Sequence, residues 1–251
     1  MPFTLADVVP WGRAFDEYVA MFALEPRDFE GIILGCGDGP AAFNATATER
    51  GHRVVSVDPL YECSAADIER RIGHTTEAIA TQVRRNAAEF IWTHFSSVDE
   101  LISARRAAMQ RFIEDFPAGR EAGRYVPGSL PALPFRFGRF QLALCSHFLF
   151  LYSEQLDFEF HLRSLLALCS VASEVRVFPL VELGSQPSRH IDPLMGSLRE
   201  LGFRAERVRV DYEFQRGANE MLTVKRRPPG ANKDPKQAPQ FVRKESVAQR
   251  R

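Results

Sequence analysis

The sequence predicts an α/β fold, a doubly wound domain with a mostly parallel, seven-stranded sheet and a helical insertion after the second strand. The main evidence is an apolar run at 31–34 that breaks into a glycine-rich turn and continues into a helical stretch at 41–50. A second apolar run at 54–57 ends on the carboxylate of Asp58, about twenty residues beyond the glycines. Strands that alternate with helices in this way favour a parallel sheet that binds ligands at the carboxyl ends of its strands.

Size and composition are those of one ordinary globular domain. The chain has 251 residues, of which 45% are hydrophobic and 25% charged. The formal net charge is zero, but basic residues gather after residue 224, which leaves a mildly acidic body and argues against a nucleic-acid surface. The four cysteines and six histidines lack ligand spacing, which predicts free thiols and no metal site. No signal peptide or membrane-spanning run is visible, so a cytoplasmic protein is expected.

The glycine-rich turn has the pattern G-x-G-x-G over 35–39, and Pro40 stands where a nicotinamide site needs its third glycine. Glycine permits positive φ and lets the backbone approach a ligand closely, and the next helix begins with unpaired N–H groups. Asp58 can accept both hydroxyls of a ribose. Together these features predict a site for a nucleoside ligand. A tight turn in an α/β protein with another ligand, or with none, is the alternative.

In these residues the sequence resembles the class I (Rossmann-like) S-adenosylmethionine-dependent methyltransferases, whose first motif is a strand followed by G-x-G-x-G. The resemblance implies that S-adenosylmethionine is the cofactor, that Asp58 holds its ribose, and that Pro59 or Leu60 borders its adenine. The residues that would wrap the methionine half are Gly35, Cys36, Gly37, Asp38 and Gly39. Family members usually carry an acid two positions before the first glycine, where this chain has Ile33, and Asp38 is the candidate to replace that acid.

An amphipathic helix is predicted over 14–24, because Phe15, Tyr18 and Phe22 recur at three- and four-residue spacing. Many members of the resembled family carry a helix ahead of the first strand that lies across the cofactor. The resemblance therefore implies that Arg13 and Tyr18 reach either the carboxylate of the cofactor or the substrate. A helix packed on the sheet edge, with Arg13 in water, is the alternative.

The long connection after the second strand predicts two helices instead of a simple crossover. Apolar residues recur at helical intervals over 65–95, and Ser97 begins a second helix that is expected to end at Pro117. A crossover needs far fewer residues, so about 66–122 is interpreted as a helical insertion. In the resembled family such insertions usually form a lid over the substrate. Candidates for an aromatic wall in that lid, with core packing as the alternative, are Trp92, His94 and Phe95.

The segment 123–135 resembles the third strand of the family and its adenine loop, commonly written G-D-A-x-x-L-P-F. Ser129 stands where the acid usually pairs with the adenine amino group. The resemblance implies that its hydroxyl accepts one hydrogen bond or that the N–H of Leu130 contacts a ring nitrogen.

The run 140–147 is a nearly continuous apolar strand, as expected in a parallel sheet that is covered on both faces. It resembles the fourth strand of the family, whose carboxyl end points at the reactive methyl group. Ser146 is therefore a candidate cofactor contact and His147 a candidate catalytic base. For His147, a hydrogen-bond donor stacked on the cofactor and a helix-entry residue remain as alternatives.

The rest of the chain predicts a helix from 153 to about 170 and a fifth strand at 174–180, followed by a helix and a terminal hairpin. The turn of this hairpin lies at the ligand edge, because the strand before it runs parallel to the others. Arg216 and Asn219 thereby become candidates for a substrate loop, with ordinary turn chemistry as the alternative.

The sequence thus predicts a methyltransferase domain at 11–226 and a disordered basic tail at 227–251. The expected reaction is methyl transfer from S-adenosylmethionine to a small-molecule acceptor, with no membrane, metal or nucleic-acid partner. Two other functions stay open: a non-catalytic descendant that binds the cofactor or a partner, and a nucleotide-dependent oxidoreductase. The acceptor and the oligomeric state are not defined by the sequence.

Overall fold

The computed structural model of the chain describes residues 11–226, and the basic tail predicted at 227–251 lies outside them. The sheet has seven strands: β1 (Ile32–Cys36), β2 (Arg53–Val57), β3 (Tyr125–Val126), β4 (Phe140–Ser146), β5 (Ala172–Phe178), β6 (Phe203–Arg209) and β7 (Glu220–Arg226). Their order is β3-β2-β1-β4-β5-β7-β6, and only β7 runs antiparallel to its neighbours. The predicted mostly parallel sheet is confirmed.

The helices cover both faces of this sheet. They are α1 (Phe15–Met21), α2 (Phe43–Glu49), α3 (Ala65–Arg85), α4 (Val98–Glu121), α5 (Phe158–Val171) and α6 (Ile191–Glu200). Successive strand residues point to opposite faces, so Leu34 of β1 packs in the core with α5 and α6, whereas Ile33 packs in the core with α1 and α2. The domain is therefore doubly wound, as predicted.

The insertion after β2 consists of α3 and α4. Each helix begins at a serine whose hydroxyl caps a backbone amide: Ser64 accepts from Asp67 N–H over 3.2 Å and Ser97 from Glu100 N–H over 3.1 Å. The C-terminal half of α4 packs on an aromatic cluster that carries the insertion against the sheet edge. The members of this cluster are Tyr61, Phe112, Phe116 and Tyr125.

The prediction that the second of these helices ends at Pro117 is wrong. The helix continues through Pro117 to Glu121, although proline gives up one backbone hydrogen bond in a helix interior. The buried residues on either side explain this, because Phe116 and Gly119 both lie against Tyr125. A Cβ atom on Gly119 would stand 2.4 Å from the ring of Tyr125. The packing of Phe116 and Gly119 against the ring of Tyr125 outweighs the tendency of proline to end a helix.

The predicted start of the next helix at 153 is also wrong. The helix α5 begins at Phe158, after Asp157 accepts a hydrogen bond from the N–H of Phe160 over 2.8 Å. The hydroxyl of Ser153 instead donates to the carbonyl oxygen of Phe150 and bonds to the hydroxyl of Ser188, each over 2.7 Å. The segment before α5 is therefore a short 3-10 turn that is fixed to a loop after β5.

All four cysteines are free thiols, and Cys36 and Cys145 stand opposite each other on β1 and β4. Among residues 11–226, no three carboxylate, imidazole or thiol side chains come together as a metal-binding group. In the same range, no helix combines the length and the apolar character that crossing a bilayer demands.

Candidate active site

A cavity of about 570 Å³ lies at the carboxyl ends of β1, β2 and β4. This is the place where the strand order reverses on either side of β1, and ligands of open α/β sheets bind there. The floor includes Gly37, Asp58 and Ser146, each of which lies at the end of a different strand. The helices α3 and α4 form the roof. The volume is that of a site for a small molecule.

The glycine turn and the carboxylate of Asp58 are joined directly at this floor. The N–H of Gly39 donates to Oδ2 of Asp58 over 2.9 Å, and the N–H of Leu60 donates to Oδ1 over 2.8 Å. Each oxygen keeps a second lone pair. A Cβ atom on Gly39 would meet nothing within 4 Å, so open space adjoins the turn, and its φ of +52° favours glycine. Burial raises the pKa of Asp58, against the effect of the two amide hydrogen bonds.

A second carboxylate, Asp38, folds back over the first glycine. A Cβ atom on Gly35 would stand 1.8 Å from Oδ2 of Asp38, so only glycine leaves room for this carboxylate. Asp38 accepts hydrogen bonds from the hydroxyls of Tyr18 over 2.9 Å and Ser56 over 2.7 Å. Burial raises the pKa of Asp38 to about 6 despite these hydrogen bonds. At neutral pH the cavity therefore contains a buried, ionised carboxylate beside the glycine turn.

A chain of hydrogen-bonded polar side chains holds Asp38 in place and leads from β2 through α2 to α4. Asn44 of α2 is buried and donates to Ser56 over 3.1 Å, and Ser56 in turn donates to Asp38. The oxygen of Asn44 accepts from Arg124 over 2.8 Å. Arg124 forms a bidentate ion pair with Asp115 of α4, with two contacts of 2.7 Å. The insertion is thus connected to the cavity carboxylate by direct hydrogen bonds.

Next to the cavity, α1 and α4 are joined by a buried ion pair between Glu17 and Arg105. Both terminal nitrogens of Arg105 donate to Glu17, which also accepts from the hydroxyl of Tyr212 over 2.9 Å and the N–H of Ala14 over 3.0 Å. Arg105 is 1% exposed. Burial alone would raise the pKa of Glu17, but the charge and hydrogen bonds of Arg105 outweigh it and lower the pKa to about 2.

His147 follows β4 in a left-handed backbone conformation, with a φ of +51°. Its N–H donates to the carbonyl oxygen of Phe178 over 2.7 Å, and its Nδ1 lies 2.9 Å from the hydroxyl of Ser146. Burial and the positive charges of Arg13 and Arg105 hold the pKa of His147 well below its usual range. The imidazole is therefore neutral at physiological pH and is a weak base.

The side of the cavity beneath the insertion combines apolar residues with three polar side chains of α3, Arg71, His74 and Thr75. Its wall combines residues of α3 and α4 with the loop between β6 and β7, namely Ile79, Val83, Phe90, Leu101 and Phe214. Backbone hydrogen bonds close the wall: the N–H of Ile91 donates to the oxygen of Phe214 over 2.7 Å, and the N–H of Arg216 donates to the oxygen of Glu89 over 2.9 Å. The cavity thus has a polar half at the strand ends and, under the insertion, an apolar half that polar side chains of α3 border.

Most residues that the sequence singled out line this cavity. They are Gly37, Asp38, Gly39, Asp58, Pro59, Ser146 and His147, together with Arg13, Tyr18 and Leu60. Four candidate cofactor residues are not part of the lining, and their contact with a cofactor stays a prediction: Gly35, Cys36, Ser129 and Leu130. Asp38 covers Gly35, the thiol of Cys36 and the side chain of Leu130 are in the core, and Ser129 is on the exposed surface.

In the predicted aromatic wall and in the β6–β7 loop, neighbours of the predicted residues line the cavity. Trp92 packs edge-on against Phe214, which lines the cavity, and His94 stacks at 4.6 Å on Tyr212, which does not. Phe95 is buried in the core. In the β6–β7 loop, the side chain of Arg216 donates to the carbonyl oxygen of Ala88 and that of Asn219 donates to Glu213. Phe214 and Gln215 line the cavity in their place.

Two features define the fold of the class I S-adenosylmethionine-dependent methyltransferases. One is the strand order, with an antiparallel β7 between β5 and β6, and the other is a glycine turn that faces an acid at the end of β2. The chain belongs to the same family as the uncharacterized protein MJ0045 of Methanocaldococcus jannaschii. The two are 31% identical over 223 residues, which make up 88% of this chain and 98% of that protein. No profile of a known protein family matches the chain.

Solved structures of methyltransferases superpose on the chain at low identity. Mitomycin 7-O-methyltransferase MmcR shares 13% identity and a TM-score of 0.47 over 85% of this chain, which spans 54% of the length of MmcR. Magnesium protoporphyrin IX methyltransferase from Synechocystis PCC 6803, with bound S-adenosylmethionine, shares 13% identity and a TM-score of 0.45 over 85% of this chain and 78% of its own. Because these superpositions are partial, the assignment of the fold rests on the strand order.

Proposed function

We propose that the protein is a methyltransferase that transfers a methyl group from S-adenosylmethionine to a small-molecule acceptor. One observation carries this proposal: the carboxylate of Asp58 bonds to the glycine turn at Gly39 on the floor of a cavity that continues into an apolar half. The polar half has the groups that an adenosyl ligand needs, and the apolar half leaves room for a second molecule. A site for one nucleotide alone would not need the second compartment.

The residues of the polar half suit the parts of this cofactor. The free lone pairs of Asp58 are placed to accept from the two ribose hydroxyls, and Pro59 and Leu60 offer an apolar edge for the adenine. Asp38 presents a buried negative charge beside the glycine turn, where the methionine half carries its positive charges. Asp38 thereby replaces the acid that the family usually has at the position of Ile33.

When bound, the cofactor supplies a methyl group on a sulfonium sulfur, which is a good leaving group. The residues of the chain therefore need mainly to orient the acceptor and exclude water. The roof of α3 and α4 and the wall at Phe90 and Phe214 perform the second task. His147 is neutral and can accept a hydrogen bond or a proton from an acceptor atom at the end of β4. Its lowered pKa makes it a weak base, which suits an acceptor that is already ionised or easily ionised.

Calorimetric titration with S-adenosylmethionine, S-adenosylhomocysteine and NAD tests the proposal. Both sulfur compounds are expected to bind one to one with a dissociation constant in the micromolar range, and NAD is expected not to bind. Saturable binding of NAD in their place would support an oxidoreductase instead. Incubation with methyl-labelled cofactor and a broad panel of small acceptors then tests catalysis. Retained cofactor binding without label transfer to any acceptor would point to a non-catalytic member of the fold.

Binding of S-adenosylmethionine is expected to weaken as the pH falls below about 6, because burial raises the pKa of Asp38 to about 6. Only the ionised carboxylate attracts the cationic half of the ligand. At lower pH the carboxyl group must lose its proton first, and the dissociation constant rises by up to about tenfold for each pH unit. Titrations between about pH 5 and pH 8 measure this dependence. Asp38→Asn is the control, and an unchanged pH profile in that variant would contradict the assignment to Asp38.

A further inference from the structure

Arg13 is a positive charge of the cavity wall that has no carboxylate partner within residues 11–226. Its Nε atom is buried and makes no hydrogen bond, and its Nη1 donates to the carbonyl oxygen of Trp11 over 3.3 Å. Arg13 as a whole is half-buried, and a guanidinium that a ligand removes from water favours an anion as its partner. Arg13 therefore retains hydrogen-bonding capacity at the surface of the cavity.

The nearby Glu17 has no lone pair left to accept a hydrogen bond from Arg13. Its two oxygens accept from both terminal nitrogens of Arg105, from the hydroxyl of Tyr212 and from the N–H of Ala14. Two guanidinium groups thus share one carboxylate, and the cluster carries one net positive charge. Burial and the charge of Arg105 lower the pKa of Arg13 to about 10, which still leaves it fully charged at neutral pH.

Arg13 lines the same cavity as the glycine turn and His147. Its charge lowers the pKa of His147 at the end of β4, and its backbone oxygen accepts from Ala42 N–H over 2.9 Å beside the glycine turn. The wall toward the insertion contains apolar residues such as Ile79 and Leu101, beside the polar side chains of Arg71, His74 and Thr75 on α3. A molecule in this half would bury an apolar body and place one anionic group at Arg13.

We propose that the methyl acceptor is an amphipathic carboxylate, with its carboxylate on Arg13 and its apolar body under α3 and α4. This inference deepens the proposed function of the same site and rests on it. The planar fork of a guanidinium matches the two oxygens of a carboxylate, which favours this anion over a single-atom one. The competing source of the same chemistry is the carboxylate of the cofactor itself, and the experiment has an arm for it.

The first arm compares 2-naphthoate with 2-naphthamide, which have the same shape and differ in charge. Calorimetric titration of the wild-type protein, with and without S-adenosylhomocysteine, is expected to show at least about tenfold tighter binding of the naphthoate. Arg13→Gln is expected to abolish that preference, and Arg13→Lys to keep part of it. Arg27→Gln removes an exposed arginine of the surface pair with Glu25 and serves as the matched control. Equal binding of the two probes, no binding of the naphthoate at millimolar concentration, or a preference that survives in Arg13→Gln would overturn the proposal.

The second arm compares S-adenosylmethionine with its decarboxylated analogue on the same variants. If Arg13 serves the acceptor, Arg13→Gln changes the affinity for both compounds by less than about threefold. A loss of about tenfold or more for S-adenosylmethionine alone would assign Arg13 to the cofactor and overturn the proposal. Thermal unfolding of each variant shows whether it is folded. Failure of the wild type to bind S-adenosylhomocysteine would defeat the proposed function, whereas the naphthoate titration without it still tests Arg13.

Discussion

Glu17→Gln is expected to lower the free energy of unfolding by about 3–5 kcal/mol, the cost of leaving a buried charge without its partner. The amide keeps the shape of the side chain but removes the negative charge that Arg105 and Arg13 share. Arg105 is 1% exposed, so water cannot replace the lost anion. The measurement is denaturant unfolding of wild type and variant near neutral pH.

The matched control is Glu77→Gln, which breaks an ion pair with Arg106 that joins α3 to α4. The side chains of that pair are 68% and 60% exposed, so its removal is expected to cost less than about 1 kcal/mol. Similar losses in the two variants would contradict the interpretation that the buried pair fixes α1 to α4.

The pH dependence of stability gives an independent check on Glu17. Its pKa falls from an ordinary 4.5 to about 2 in the folded state, which corresponds to about 3 kcal/mol. Because the folded-state pKa is lowered, this contribution is fully present above about pH 4.5 and is lost as the pH falls toward about 2. The difference in stability between wild type and Glu17→Gln should therefore shrink over this range.

Asp58→Ala is expected to weaken binding of S-adenosylhomocysteine by about thirtyfold or more, which corresponds to about 2 kcal/mol. The variant loses both acceptors for the ribose hydroxyls. It also leaves the N–H groups of Gly39 and Leu60 without the oxygens that now accept from them over 2.9 and 2.8 Å. Calorimetry measures the affinity, and thermal unfolding separates a loss of binding from a loss of folding.

Two further variants complete the test of Asp58. Asp58→Asn retains one oxygen acceptor but no charge, so its affinity is expected to fall between those of the wild type and the alanine variant. Asp99→Ala removes a carboxylate that is 85% exposed in a surface ion pair and is expected to bind as the wild type does. Binding by Asp58→Ala within about threefold of the wild type would show that the ribose is held elsewhere.

The sequence allows the sheet, the glycine turn and Asp58 to be predicted, because each has a local signal. Apolar runs separated by helical stretches indicate parallel strands, and a carboxylate at the end of the second strand must lie near the turn after the first. The insertion is predictable from the length of the β2–β3 connection and from the helix start at Ser97. The errors in helix bounds arise where distant packing decides, as at Pro117, which lies beside residues that pack on Tyr125.

The polar contacts of the site could not be predicted in the same way. Asn44 and Arg124 are 80 residues apart, and Glu17 and Arg105 are 88 apart, so no spacing relates them. For Asn44 the sequence offers only a weaker signal. It is a polar residue among small and apolar ones on a helix that packs against the sheet. Such a residue needs partners, but the sequence does not identify them.

The roof of the cavity is the insertion, a single segment that leaves the sheet after β2 and returns to it at β3. The groups at the strand ends follow β1, β2 and β4, and each of these strands is paired on both sides. The apolar wall instead belongs to the insertion and to the turn before β7. Side chains such as Ile79 and Val83 can therefore be exchanged without disturbing strand pairing. Under the proposed function, the strand ends bind the cofactor and the insertion selects the acceptor, so changes in the insertion would alter acceptor specificity and leave cofactor binding intact.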